Sequence, residues 1–318
     1  MKLIHPPSSA DIIAASDLIR PYIETTPVLH SESLDQLSGS RLFFKCENFQ
    51  KAGAFKTRGA THALLCLEEK ERSLGVVTHS SGNHAQALAR AARIFGIPAY
   101  IVMPQNAPKV KVEAVKAYGG KITFCKPTLA DREETADNIV RQTGATLVHP
   151  YNNYDIIAGQ ATVCHEILQQ GVKPDFVLCP VGGGGLLSGT LLSAHYFSPH
   201  TKTIACEPES ANDTLQSIEQ GQWMPVKNPD TIADGLRTSL GALTWPIIKQ
   251  YVHQVVTVTD REIIYAMHRI WERMKIIIEP SAAVPVAVAL KRLPALKDKT
   301  VAVILSGGNT NLDQLPWQ

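Results

Sequence analysis

Short apolar runs and helix-length periodic segments alternate along almost the whole chain. The runs at 42–46, 76–79, 100–103, 122–125, 146–149, 176–180, 203–206 and 301–305 are continuous rather than alternating in hydrophobicity. A parallel sheet with helices on both faces requires such strands, because neither face meets water. Between them, segments 85–95, 110–118, 131–143, 156–169, 261–275 and 281–290 have helical length and spacing. The alternation predicts an α/β protein built on doubly wound open sheets. Residues 75–146 hold four strand–helix units in succession and read as a compact unit of their own. No repeat or long polar linker breaks the pattern.

Composition narrows the function more than the fold. The 318 residues suggest two domains or one large one, at roughly 100–200 residues per domain. Lys plus Arg is 31 against 29 for Asp plus Glu, so the net charge of +2 offers no basic excess for nucleic acid or an anionic membrane. The longest apolar stretch, 281–290, falls short of the roughly 20 residues that span a bilayer. The opening MKLIHPPSSADII lacks the apolar core of a signal peptide. Cys46, Cys66, Cys125, Cys164, Cys179 and Cys206 form no CxxC pair and read as reduced core residues. A cytoplasmic protein is expected. No His/Cys cluster with zinc spacing is apparent, nor HExxH or GxSxG.

Three turns rich in small residues follow predicted strands. Gly182, Gly183, Gly184 and Gly185 join FVLCPV to the helical run LLSGTLLSA. Such a turn lets backbone N–H groups converge on an anion at a helix N-terminus. A tight turn alone needs one or two glycines, so four favour a phosphate cradle. Ser80, Ser81, Gly82, Asn83 and His84 follow VVTH and precede AQALARAARIF. They suit a carboxylate or second anion, and equally an ordinary helix cap. His84 by itself reads as a structural histidine. The third turn, Ser306-Gly307-Gly308-Asn309, follows VAVIL. Turns at strand C-termini collect where open α/β sheets bind ligands.

Two further features carry chemistry. Lys56 opens a predicted helix after a glycine-flanked turn. The positive dipole end lowers its amine pKa, and such lysines form Schiff bases with carbonyl cofactors. A surface lysine is the plainer alternative. Glu207, Glu209 and Asp213 crowd one short stretch after the run TIAC. They could ligate a hard cation such as Mg²⁺, Mn²⁺ or Ca²⁺, or simply cap a helix.

The motifs FFKCENFQKAGAFKTRGA, THSSGNHAQALA, IPAYIVMP, HPYNNYDIIAGQ, CPVGGGGLLSG, EPESANDT, TIADGL, WERMKIIIEPSAA and ILSGGN occur in this order along nearly the whole chain. This set resembles the fold-type II pyridoxal-phosphate enzymes, specifically the serine racemase and serine/threonine dehydratase group. The resemblance implies two doubly wound open-sheet domains, tryptophan synthase β-like. A larger cofactor-binding domain would comprise 1–74 and 147–318, and a smaller one 75–146. It makes Lys56 the Schiff-base lysine, with Phe55 and Gly235 on the two sides of the pyridine ring. Asn83 is expected at the ring's 3-oxygen, Gly182 to Gly185 at the phosphate and Ser306 at the pyridine nitrogen. Ser81 would stand across the ring from Lys56, and Ser80, Ser81, Gly82, Asn83 and His84 would hold the substrate carboxylate. Arg132 and Thr238 would lie near the substrate side chain.

Glu207, the Ala211 carbonyl and Asp213 fall on that group's divalent-cation site. Lys51, Gln86, Lys111 and Tyr118 match its ATP-effector site, although Ala52 stands where a threonine is usual. The implied protein is a homodimer. It acts on a small hydroxy-amino acid as an L-serine/L-threonine ammonia-lyase with serine racemase activity. A threo-3-hydroxyaspartate ammonia-lyase is the near alternative, since Arg132 could grip a second carboxylate. A non-catalytic anion-binding α/β protein is the remote one.

Overall fold

The computed structural model describes residues 2–80, 82–107 and 109–317. Helix α1 (Ser9–Ile19) precedes strand β1 (Val28–His30), helix α2 (Glu32–Ser38) and strand β2 (Arg41–Cys46). Helices α3 (Lys56–Leu65) and α4 (Glu69–Leu74) then lead into β3 (Val76–His79) and α5 (Asn83–Phe95). Next come β4 (Ala99–Pro104), α6 (Lys109–Ala117), β5 (Lys121–Cys125), α7 (Leu129–Thr143) and β6 (Thr146–Leu147). The chain continues through α8 (Tyr154–Gln169), β7 (Phe176–Pro180), α9 (Gly185–Phe197), β8 (Lys202–Pro208) and α10 (Asp213–Gln220). It closes with α11 (Thr244–Tyr251), β9 (Gln254–Val258), α12 (Asp260–Met274), α13 (Pro280–Leu290) and β10 (Thr300–Leu305).

The strands form two open sheets. One has the order β1-β2-β10-β7-β8-β9, and the other β5-β4-β3-β6. All neighbours run parallel except the edge strand β1, which pairs antiparallel with β2. The α/β class with parallel, doubly wound sheets is as expected. The smaller sheet draws only on residues 76–147, but its core also takes Ala60, Ala63 and Leu64 from α3. Helix α13, apolar on every face, is buried in the core of the larger sheet together with Ile263, Met267 and Ile270 of α12.

Three strand expectations change. The strand expected at 146–149 stops after Leu147, with only the Val148 N–H still bonding to the Val77 carbonyl at 2.8 Å. Pro150, two residues on, has no N–H to carry a ladder further. Strands β1 and β9 were not legible, because they are edge strands whose residues are only partly buried, with Val255 and Val258 alone buried.

Helices α3 and α8 tie the two sheets together at close range. A Cβ on Gly159 would lie 2.5 Å from Gly59 Cα, so the two backbones touch where both residues are glycine. Beside that contact, the buried Arg58 guanidinium donates to both oxygens of Glu47, at 2.8 Å each, and to Glu166 at 2.9 and 3.0 Å. Lys45 adds a bond of 2.5 Å to Glu166. Two cations thus meet two anions, which is the condition for burying charge. Gly159→Ala should therefore lower the unfolding free energy by about 1–3 kcal/mol through overpacking. Urea denaturation monitored by tryptophan fluorescence measures it. An unchanged midpoint would mean that the helices part freely.

Candidate active site

The loops after β2, β3, β6, β7 and β10 open into one cleft, where strand C-termini of both sheets face each other. Lys56 stands at its floor as the first residue of α3. Its position is set by the preceding turn, where the Phe55 N–H donates to the Ser306 carbonyl at 3.0 Å and Ala54 bridges to Gly307. The Lys56 ammonium donates to the Pro150 carbonyl at 2.8 Å and lies 5.1 Å from the centre of the Phe55 ring. Enclosure by protein pushes its pKa down to about 8, opposed by the charge of Glu279. The depression is as expected, but its leading cause is burial rather than the helix dipole: removal from water penalises the charged amine.

Gly182, Gly183, Gly184 and Gly185 border the same cleft between β7 and α9. Gly184 sits at φ +88°, in the left-handed region, and a Cβ there would lie 2.7 Å from Thr244 Oγ1. A Cβ on Gly182 would come within 3.0 Å of the Gly235 carbonyl, and one on Gly183 would enter the Tyr151 ring. Side chains are therefore excluded along the whole loop. The first N–H groups of α9 have no partner within the helix and are free to meet an anion.

Across the cleft, α5 begins at Asn83. The Asn83 amide donates to Glu279 Oε1 at 2.8 Å and accepts from Asn309 at 2.9 Å. One of its two side-chain N–H hydrogens remains for another acceptor. His84 places Nε2 3.1 Å from the Val148 carbonyl, while its buried Nδ1 has no partner among the described residues. Burial, with Lys56 nearby, holds the ring neutral, well below the usual histidine range. Ser80 and Gly82 line the cleft with them. Ser81 lies outside the described residues.

The remaining expected residues divide in two. Gly235, Thr238, Ser306 and Arg132 all line the cleft, Arg132 from the first turn of α7. Glu207, Ala211 and Asp213 do not. They form a separate buried cluster between the end of β8 and the start of α10, and Glu209 is exposed and outside it. Glu207 accepts from the Thr214 and Leu215 N–H groups, both at 3.0 Å, so it caps α10. Asp213 Oδ2 accepts from Leu240 N–H at 3.0 Å, but the buried Oδ1 has no partner among the described residues. Burial raises both carboxyls, Glu207 to about 8 with the Asp213 charge adding to it, and Asp213 to about 7. A cation between them would relieve the burial cost and the repulsion together. Of the residues matched to an ATP site, Lys51 pairs with Glu24, and Lys111 pairs with Asp234 inside the cleft.

Several cleft residues had no role assigned from sequence. Glu279, at the N-cap of α13, is buried beneath Asn83 and raised to about 8 by burial and by Asp234, against Lys111. A Cβ on Gly307 would lie 2.7 Å from its Oε1, which accounts for the glycine there. His79 and Tyr151 line the cleft, and His149 stacks edge to face with both, ring centres 5.5 and 4.6 Å apart. Glu279 and Tyr151 stand inside recognisable motifs, but Glu-Pro before an apolar run signals only a helix start.

The donor set fits a phosphorylated aldehyde cofactor: an amine of lowered pKa, a side-chain-free helix N-terminus for a phosphate, and an aromatic ring beside the amine. Comparisons with known proteins agree. Residues 19–307 match the family model described as pyridoxal-phosphate dependent enzyme. The chain is 47% identical over 311 residues to the beta-hydroxyaspartate dehydratase of Paracoccus denitrificans, covering 98% of this chain and 99% of that protein. It is 48% identical over 315 residues to the serine racemase of Arabidopsis thaliana, covering 96% and 95%. The structure of maize serine racemase superposes with a TM-score of 0.95 at 44% identity, covering 97% of this chain and 95% of that one. Among the described residues no helix is long and apolar enough to cross a membrane. The chain belongs to the family of pyridoxal-phosphate-dependent enzymes, among the fold-type II members that include serine racemases.

Proposed function

We propose that this protein is an ammonia-lyase for small 3-hydroxy amino acids, L-serine and L-threonine foremost, which also interconverts L- and D-serine. The observation that carries the reading is Lys56, an amine of lowered pKa held against the Pro150 carbonyl where the α5 and α9 N-termini face each other. Pyridoxal phosphate, when bound, supplies the electron withdrawal that makes an amino acid's α-proton removable. Lys56 would hold it, Gly182 to Gly185 would take its phosphate, and Phe55 and Gly235 would flank its ring. The spare Asn83 N–H suits its ring oxygen.

The chain's own groups then select the reaction. A Lys56 amine near pKa 8 is partly unprotonated at neutral pH and can accept the α-proton. Ser306, at the end of β10, would meet the ring nitrogen with a neutral hydroxyl. Such a group does not hold that nitrogen protonated, which favours prompt departure of the β-hydroxyl. Ser80, Gly82, Asn83 and neutral His84, at the start of α5, suit the substrate carboxylate. Thr238 and Arg132 border the space left for the side chain. Arg132 and the likeness to a beta-hydroxyaspartate dehydratase favour a second reading, a threo-3-hydroxyaspartate ammonia-lyase.

A panel of L-serine, D-serine, L-threonine and threo-3-hydroxyaspartate tests both. L-Serine or L-threonine should release ammonia and 2-oxo acid with the highest kcat/KM, and Lys56→Ala should lower every rate by several orders of magnitude and remove the bound cofactor's visible absorption. A higher kcat/KM for hydroxyaspartate would select the second reading. No ammonia from any substrate would dismiss both.

Racemisation needs a proton donor on each face of the α-carbon, because transfer requires heavy atoms about 3 Å apart. Elimination needs only the lysine face. We expect Ser81→Ala to retain pyruvate formation from L-serine and to lose racemisation and use of D-serine. Chiral chromatography with a parallel pyruvate assay reads both, and undiminished racemisation would assign Ser81 to a helix cap.

Glu207, the Ala211 carbonyl and Asp213 would hold Mg²⁺ or Mn²⁺, whose preference is for oxygen ligands. The unpartnered Asp213 Oδ1 supports this. A chelator should reduce activity, added Mg²⁺ should restore it, and Asp213→Ala should blunt the response. Indifference to both treatments would leave these carboxylates as a cap alone.

A further inference from the structure

At the far end of α3 from Lys56, three side chains of different chemistry converge. His62 and Cys66 stand four residues apart, on one face at the end of the helix. Asp155, in the first turn of α8, approaches from the other side. Among the described residues, these form the one group of three His, Cys, Asp or Glu side chains whose ligand atoms all lie within 4.8 Å of one another. Sequence spacing alone did not reveal it, because the third member is 89 positions beyond Cys66 and no zinc pattern uses one Cys and one His on a helix with a remote Asp.

The geometry points to a divalent metal site of zinc type, formed by His62 Nε2, Cys66 Sγ and an Asp155 carboxylate oxygen, that staples the end of α3 to the start of α8. The histidine is already oriented for it. Its Nδ1 meets the Asp155 backbone carbonyl at 2.8 Å, which fixes the donor there and leaves the Nε2 lone pair facing Cys66 Sγ at 3.6 Å. A backbone carbonyl on the remote ring nitrogen is the usual support for a metal-ligating histidine. Tetrahedral zinc, with bonds of about 2.0–2.3 Å, sets its ligands about 3.3–3.8 Å apart. The His62–Cys66 pair is in that range already, and a contraction of about 1 Å brings in the carboxylate.

The remaining contacts hold the three ligands in place. Asp155 is held in place by the Leu3 N–H, which donates to its Oδ1 at 3.0 Å, so the N-terminal segment covers the group. Cys66 is half-buried at the C-terminal end of α3. Thiolate and imidazole select zinc-like ions over Mg²⁺, so the site is chemically separate from the all-oxygen cluster at Glu207 and Asp213. Binding replaces the Cys66 proton by the metal and releases that proton to solvent.

Cobalt(II) is the probe. The holoenzyme is stripped with chelator and titrated with Co²⁺, and the difference spectrum against the same sample before addition is recorded. We expect a thiolate-to-cobalt charge-transfer absorption that saturates at one ion per chain and is displaced by Zn²⁺. It should vanish in Cys66→Ser. Asp155→Asn should keep the absorption but weaken binding by at least the roughly 10-fold seen when supporting metal-site groups are lost. Absence of the absorption in the unsubstituted holoenzyme, or its persistence in Cys66→Ser, would overturn the site and leave the trio as a hydrogen-bonded cluster. Because the unsubstituted protein must itself give the signal, misfolding of a variant cannot decide the matter.

Discussion

The approach of α3 to α8 is the constraint on which the site depends. Helix α3 presents Lys56 at its first residue, and the chain just before α8 supplies the Pro150 carbonyl that holds the lysine. Both parts keep their places because Gly59 and Gly159 let the backbones touch and because the buried Arg58 binds the buried Glu47 and the partly buried Glu166. Neither contact faces the cleft. A buried, paired guanidinium is a costly arrangement unless its partners are exact in place, and a pair of glycines is costly in chain entropy. Their reward is a rigid mount for one amine.

Electrostatics in the cleft follows from the same enclosure. Lys56 is lowered by loss of water, against the charge of Glu279, while Glu279 is raised by burial and by Asp234, against Lys111. His84 and His149 are held neutral, the latter pushed down to about 3 by burial, His79 and Lys56. Among the described residues that line the cleft, charge near neutral pH is carried mainly by Lys56, Arg132 and the Lys111–Asp234 pair. Positive potential and free helix N-termini favour an anionic ligand over a cationic one.

The sequence by itself determined the fold class and most element positions, because buried parallel strands must be apolar throughout and their pattern survives in one dimension. It also supplied the glycine loop, the lysine and the serine- and asparagine-bearing turns, since each lies within a contiguous motif. Edge strands β1 and β9 escaped, having no continuous apolar run to betray them. What only the tertiary structure decided was proximity between distant segments. Asn83 meets Glu279 across 196 positions, Lys56 meets Pro150 across 94, and His62 meets Asp155 across 93. Desolvation, the leading cause of the Lys56 shift, likewise exists only once the cleft has closed around the amine. Residue type states what a group can do, and burial and neighbours, which arise only on folding, set the charge it carries.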